Sequence, residues 1–211
     1  MLENNNKVML SGYIEGEFEF DHELYGEKFF RTRIVVERLS GVQDFIPIMT
    51  SERMIDVEEY WSGKKVRVIG QIRTYNKYDN EGKTKLLIYV FLHEIELGHS
   101  DDYYANEVYL EGYLCKEPSY RRTPLGRELS DVIMTVNRSY RKSDYIPCIC
   151  WGRNAKFVSG LSVGTKVKLW GRFQSRNYIK KISDTESENR TAYEVSISKL
   201  DVEEEHEETE D

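Results

Sequence analysis

The residues best placed to do chemistry sit in one heptad, YIPCICW, at positions 145–151. Cys148 and Cys150 stand two apart in it. One hundred positions earlier the chain reads FIPIMTS, residues 45–51, with the same pattern but no cysteine, and with Ser51 where the later copy has Trp151. A tetrahedral metal site needs about two more ligands than the cysteine pair supplies. No other Cys or His lies near it in sequence. In a strand, successive side chains alternate between faces. Ile146, Cys148 and Cys150 therefore share one face, small and apolar, and suit the inside of a tight barrel. Free cysteine behaves there as a small hydrophobe. Tyr145, Pro147, Ile149 and Trp151 share the other face. The remaining candidates for catalysis are dispersed. His22, His93, His99 and His206 are scattered, and no Ser-His-Asp, HExxH, Walker or paired-cysteine motif is present. The carboxylates lie in charge runs, which are usually solvated surface. The expectation is a binding protein, not an enzyme, with no metal and no cofactor.

Two large aromatics on an outward strand face are costly unless something covers them. A nucleobase is one cover and a protein surface is another. Basic residues accompany them: Tyr140 lies in NRSYRKS between Arg138 and Arg141, and Arg153 follows Trp151 closely. Trp170, in KVKLWGRF, points out of its strand opposite to Val167 and Leu169. Its counterpart in the earlier copy is Ile69. Apolar residues at equivalent outward positions favour a contact between copies or chains.

The chain of 211 residues has 39% hydrophobic and 32% charged residues and four prolines, a globular composition. Its apolar runs fall far short of the about 20 residues that span a bilayer. Three unevenly placed cysteines make no disulfide framework. MLENNNKV lacks a basic segment followed by an apolar one. The expectation is a cytoplasmic protein with reduced thiols and no membrane partner. The net charge of −7 is unevenly spread: residues 1–100 carry −4, residues 103–202 carry +6, and residues 203–211 carry −7. Net acidity therefore does not exclude an anionic partner, because binding follows the local field.

These residues are positioned by a duplicated unit. NKVMLSGYI (6–14) matches NEVYLEGYL (106–114), and GKKVRVIGQI (63–72) matches GTKVKLWGRF (164–173). A spacing of about 100 residues means two copies of one domain, not a solenoid. The expected division is 1–100, 101–202 and an acidic tail 203–211. Each copy reads as strands: KVMLSGYI, RTRIVVER, DFIPIMT, KVRVIGQI and LLIYVFLHEIEL in the first. One non-alternating segment per copy, SERMIDVEEYW (51–61) and GRNAKFVSGL (152–161), is predicted as a short helix. The order is three strands, a helix, then two strands. That order predicts an all-β chain of two tandem OB-folds, each a five-stranded Greek-key barrel with a short helix.

The second copy resembles the bacterial single-stranded DNA-binding proteins. It shows "EP…TP.G" in KEPSYRRTPLG, "VNR" at 136–138, "D.IP…WG..A" in DYIPCICWGRNA, "G..V.V.G" in GTKVKLWG and ".SR.Y" in QSRNY. The match runs over residues 106–178 and is weaker over 6–97. The resemblance implies OB-folds that stack bases of single-stranded DNA on Tyr140, Tyr145, Trp151 and Tyr178. It implies phosphate contacts from basic residues in the same groove, here Arg138, Arg141, Arg153, Arg172 and Arg176. In the first copy the stacking positions hold Ser40, Phe45, Ser51 and Lys77 (or Tyr78, with the register one residue on), so at least two platforms are missing. The family's one-domain members are typically tetramers, which implies a homodimer here. It also implies work in DNA replication, recombination or repair, with replication or repair proteins as further partners. The chain reads EEEHEETED at its end, acidic but without the hydrophobic tip that recruits such partners in many members. The rival reading is a primosome-like adaptor, with one copy on DNA and the other on a replication protein.

Overall fold

The computed structural model describes residues 5–78, 82, 84–98, 106–183 and 186–203. The expected boundary at residue 101 and most of the acidic tail lie outside them. The first copy contains β1 (Asn6–Leu24), β2 (Glu27–Glu37), β3 (Gln43–Ser51), β4 (Lys65–Tyr78) and β5 (Thr84–Leu97). The second contains β6 (Asn106–Leu114), β7 (Ser119–Arg122), β8 (Glu128–Asn137), β9 (Ser143–Trp151), helix α1 (Arg153–Val158), β10 (Lys166–Lys181) and β11 (Ser187–Val202). A single 3-10 turn, Ser139–Arg141, precedes β9. In the first copy β1 pairs with both β2 and β4, β3 pairs antiparallel with β2 and parallel with β5, and β4 with β5 closes the ring. The second repeats this with β6, β8, β9, β11 and β10. Both are closed five-stranded barrels of OB type, as expected.

The alternation predicts the interiors. Ile46 and Ile48 of β3 are buried in one barrel; Ile146, Cys148 and Cys150 of β9 are buried at the matching places in the other. Burying one aliphatic side chain of this size contributes about 1.5–3 kcal/mol. The strands must also cross closely to close each ring. A Cβ on Gly12 or Gly112 would run into the carbonyl oxygen of Val35 or Thr135 on the facing strand. Only a residue without a side chain fits there.

The barrels are joined edge to edge. β1 and β6 pair antiparallel about Val8 and Val108, and the two barrels become one 11-stranded ladder. A pseudo-twofold relation follows, and two buried carboxylates obey it. Asp44, at the start of β3, accepts from the Ser175 N–H at 2.7 Å and the Ser175 hydroxyl at 3.4 Å, across the junction on β10. Arg38 donates to it at 2.7 and 2.6 Å. Asp144, at the start of β9, accepts from the Thr74 N–H at 2.6 Å and the Thr74 hydroxyl at 3.2 Å, on β4 of the first barrel. Arg138 and Arg73 supply its positive charge, Arg73 at 3.0 Å. Asn6 and Asn106 add a matching pair of brackets, each bonding both ways to one backbone unit, that of Ile72 and of Phe173. Both aspartates are fully buried. A buried carboxylate is tolerable only when its oxygens are filled in this way.

Three expectations are corrected. Residues 51–61 form no helix; they form successive turns, closed by Met54 N–H to Ser51 O and Glu59 N–H to Asp56 O. The cause is local. Asp56 caps the Glu58 N–H with its side chain, and its carbonyl accepts from the Trp61 indole at 2.8 Å, where a helix would need the Tyr60 N–H. Trp61 then fills the core, packed edge-on against Phe18 at 5.4 Å. In the second copy the α1 residues Ala155 and Val158 do this filling. Next, β1 runs on to Leu24, because EFEFDHEL continues as the arm of a hairpin with β2. The second copy breaks at the same place and resumes as β7, so it holds one more strand than the predicted order.

Two outcomes follow. Asp144→Ala strands two guanidinium groups and two donors of Thr74, and is expected to lower the unfolding free energy by about 3–5 kcal/mol; a urea midpoint equal to that of the parent protein would contradict the clamp. Burial pushes the Cys148 thiol well above its ordinary range and the Cys150 thiol up to about 12, while Cys115 is only half-buried. A thiol reagent at pH 8 is therefore expected to label Cys115 alone in the native protein and all three cysteines after unfolding.

Candidate nucleic-acid interface

Trp151 ends β9 and stands directly opposite Leu129 of β8, on the outer face of the second barrel. Its ring is 39% exposed and covers Leu129, which is buried. It sits in an open groove of about 1010 Å³. The outer side of β10 supplies Arg172, Gln174, Arg176 and Asn177, and the β7–β8 hairpin supplies Arg121, Thr123 and Arg127. The groove is composite: Arg38, Gln43 and Phe45 of the first copy form its far wall. The aspartate clamp positions that wall. The Phe45 N–H donates to the Ser175 hydroxyl at 3.0 Å, one bond from the Asp44 carboxylate. Two carboxylates, Glu128 and Glu194, line the groove; Glu128 is paired with Arg122 and Lys156, each at 3.2 Å, and Glu194 is matched by Gln174 at 2.9 Å and Arg176 at 3.5 Å. Arg121 is held by Asp131 at 2.8 Å, and that bond raises its pKa further, so it stays charged. A flat ring set among guanidinium groups is the arrangement that stacks a base and meets its phosphates.

The predicted residues divide between this groove and other places. Trp151, Arg172 and Arg176 share it. Tyr145 does not. It shares a strand face with Trp151, but six residues of strand separate them by roughly 20 Å. Its N–H donates to the Thr74 hydroxyl at 3.0 Å, so its half-exposed ring borders the first barrel as Phe45 borders the second. Tyr140 and Arg141 occupy the 3-10 turn with positive φ of 62° and 56°; Tyr140 is 95% exposed, and neither residue lines the groove. Tyr178 lies further along the β10 arm, with the Arg176 guanidinium 5.7 Å above its ring. Arg153 is exposed at the start of α1 and does not line the groove. Arg138 is the correction. Its donors go to Asp144 and to the Thr74 carbonyl, at 3.1 Å, because a buried carboxylate demands a cation. It is a clamp residue, and its image Arg38 holds Asp44 while touching the groove.

Arg121, Arg127 and Phe45 were missed as groove residues. The sequence signal for the arginines is RRTPLGR, three cations around a tight turn. Phe45 is read from sequence as a first-copy stacking position; its place in the second copy's groove gives no signal, since its partner Ser175 is 130 residues away.

Comparison with known proteins singles out the second copy. Residues 105–203 match the model of the single-strand binding protein family. The chain is 40% identical over 80 residues to single-stranded DNA-binding protein 1 of Staphylococcus aureus, covering 35% of this chain and 48% of that protein. It is 38% identical over 80 residues to single-stranded DNA-binding protein A of Bacillus subtilis, covering 35% and 46%. The chain thus spans about half the length of the curated relatives it matches. In overall fold it is similar to a crystal structure of a deletion mutant of the single-stranded DNA binding protein from Thermus aquaticus, with a TM-score of 0.73 and 18% identity over 98% of each chain. The Trp151 groove and the family match fall on the same barrel. That second copy, residues 105–203, is similar to the single-strand binding protein family.

Proposed function

We propose that this protein binds single-stranded DNA without strong sequence preference, by stacking and phosphate contacts and without catalysis. The observation that carries the reading is the half-exposed Trp151 ring in an arginine-walled groove, on the copy that matches the family. Arg121, Arg127, Arg172 and Arg176 meet the backbone in this reading, Trp151 takes a base, and Tyr140, Tyr178 and the exposed Arg141 and Arg153 extend the path at its margins. The biological setting is DNA replication, recombination or repair in the cytoplasm. The adaptor reading, with the first copy on a replication protein, draws on Ser51, whose hydroxyl is tied to Glu27 where the other copy has its tryptophan. A DNA footprint separates the two: protection reaching only the second copy favours the adaptor.

The proposed assembly is a homodimer. Its support is one sheet face on which Ile69 of β4 stands opposite Met9 of β1 and Trp170 of β10 opposite Tyr109 of β6, the two pairs set diagonally across the β1–β6 seam. The Trp170 ring packs 5.3 Å from Tyr109, and Lys199 lies 4.2 Å above it.

Stacking is worth about 1–3 kcal/mol per base, so Trp151→Ala is expected to weaken oligo-dT binding about 5- to 150-fold with little change in thermal stability. A variant that unfolds, yet keeps its affinity per folded molecule, would make Trp151 a packing residue. Affinity of the parent protein should fall with salt by about 0.7 log units per decade for each phosphate neutralised. Sedimentation should give about twice 24.9 kDa, and Trp170→Glu should return it to the single-chain mass; a parent protein that is monomeric at micromolar concentration removes the dimer.

A further inference from the structure

The pseudo-twofold relation assigns every groove position a counterpart on the first barrel. Phe29, Met49, Ser51, Gln71 and Phe91 occupy the register of Leu129, Ile149, Trp151, Arg172 and Ser196. At Ser51 the stacking ring is gone. Directly across the ladder, however, Leu129 has become Phe29, and on the next strand Ser196 has become Phe91. The aromatic bulk has moved one strand to either side instead of vanishing.

These rings are contiguous. The exposed His22 lies flat on Phe29, with centroids 4.9 Å apart and 15° between planes. Phe29 is 5.9 Å from Phe91, and Phe91 meets the exposed His93 at 5.9 Å. Partial desolvation and the positive charge of Arg73 hold His93 below the ordinary histidine range. It is neutral at pH 7 and offers a flat ring without a charge. The cations around the face are largely engaged: Arg31 with Asp21 at 3.4 Å, Arg53 with Glu27 at 3.2 Å, and Arg73 with Asp144 at 3.0 Å. At one end Tyr145 closes the face as Phe45 closes the Trp151 groove, and beside it Arg138 lies 5.5 Å above the Tyr75 ring.

The face is also continuous with the Trp151 groove. Phe45, Pro47, Met49 and Ser51 share one side of β3 by alternation. Phe45 is in the wall of that groove, and Met49 pairs with Phe91. From Phe45, a strand following this side of β3 reaches Met49, paired with Phe91, after about 13 Å, the length of four strand residues.

We infer that His22, Phe29, Phe91 and His93, with Tyr145 from the second copy, form a second stacking surface for the bases of single-stranded DNA. The inference rests on the reading of the Trp151 groove as a DNA site. It gives the first copy a DNA contact made by rings at positions where the second copy carries none. Because free cations are few there, its grip depends little on salt.

The test uses the full chain and an oligo-dT series of increasing length. Phe29→Leu combined with Phe91→Ser installs the second copy's own residues, so the barrel is expected to hold. With the parent protein, affinity should keep rising once the strand outgrows the Trp151 groove. With the double variant it should level off there and fall at least about fivefold on long strands, with short-strand affinity unchanged. The lost part should be nearly the same at low and high salt. Identical length dependence in both proteins overturns the inference and leaves the Trp151 groove standing; failure of the parent protein to bind oligo-dT overturns both. Photocrosslinking of iododeoxyuridine-substituted oligo-dT to the parent protein decides the matter without any variant. Adducts within residues 27–37 or 84–97 support the second surface. Adducts confined to residues 106–181 overturn it and leave the face to a protein partner.

Discussion

Two fully buried carboxylates, Asp44 and Asp144, set the geometry on which the rest of the molecule depends. Each begins the third strand of its own barrel and takes its backbone donor from the other barrel. A carboxylate in that position cannot be left half-satisfied, so Arg38 and Arg138 are drawn in beside it. The residue after each aspartate is then carried across the junction. That residue is aromatic in both copies, Phe45 and Tyr145. The clamp thus does more than join two barrels: it lends each one a ring from its neighbour.

The same frame supports different surfaces. In the second barrel the exposed ring is Trp151, the facing residue is aliphatic Leu129, and the walls are arginine. In the first barrel Ser51 is turned to Glu27, the facing residue is Phe29, and Gln71 stands at the register of Arg172. One surface is suited to phosphates and bases together, the other to rings. The charge division along the chain, −4 in residues 1–100 against +6 in residues 103–202, expresses the same difference. Unequal copies on an equal scaffold are what a duplicated barrel allows, since the interior fixes the fold and the outer alternate positions remain free to change.

Strand parity made much of this legible before any coordinates. Period-two alternation in YIPCICW puts Cys148 and Cys150 inside and Trp151 outside, and all three are so placed. The repeat and the turn residues give the two five-stranded barrels. What sequence did not show depends on partners far along the chain. Asp44 bonds to Ser175, 131 residues away, so nothing local marks it as a clamp or marks Arg138 as its image's partner. The reading of Arg138 as a groove cation failed for that reason. The helix expected at 51–61 failed on local competitors, the Asp56 side chain that takes the Glu58 N–H and the Trp61 indole that claims the Asp56 carbonyl. The migration of aromatic bulk from Ser51 to Phe29 and Phe91 appears only once strands are paired, because the three residues are neighbours in register and not in sequence.

The central claim is that the DNA groove of the second barrel is completed by the first. A double-mutant cycle on oligo-dT affinity tests it most directly, with Trp151→Ala paired once with Phe45→Ala and once with Tyr145→Ala. Residues in one site couple by about 0.5–3 kcal/mol, and distant ones add to within about 0.3–0.5 kcal/mol. The account predicts coupling between Trp151 and Phe45, which lie on different copies, and additivity between Trp151 and Tyr145, which lie on the same strand. Coupling of Trp151 to Tyr145 with Phe45 silent would contradict it.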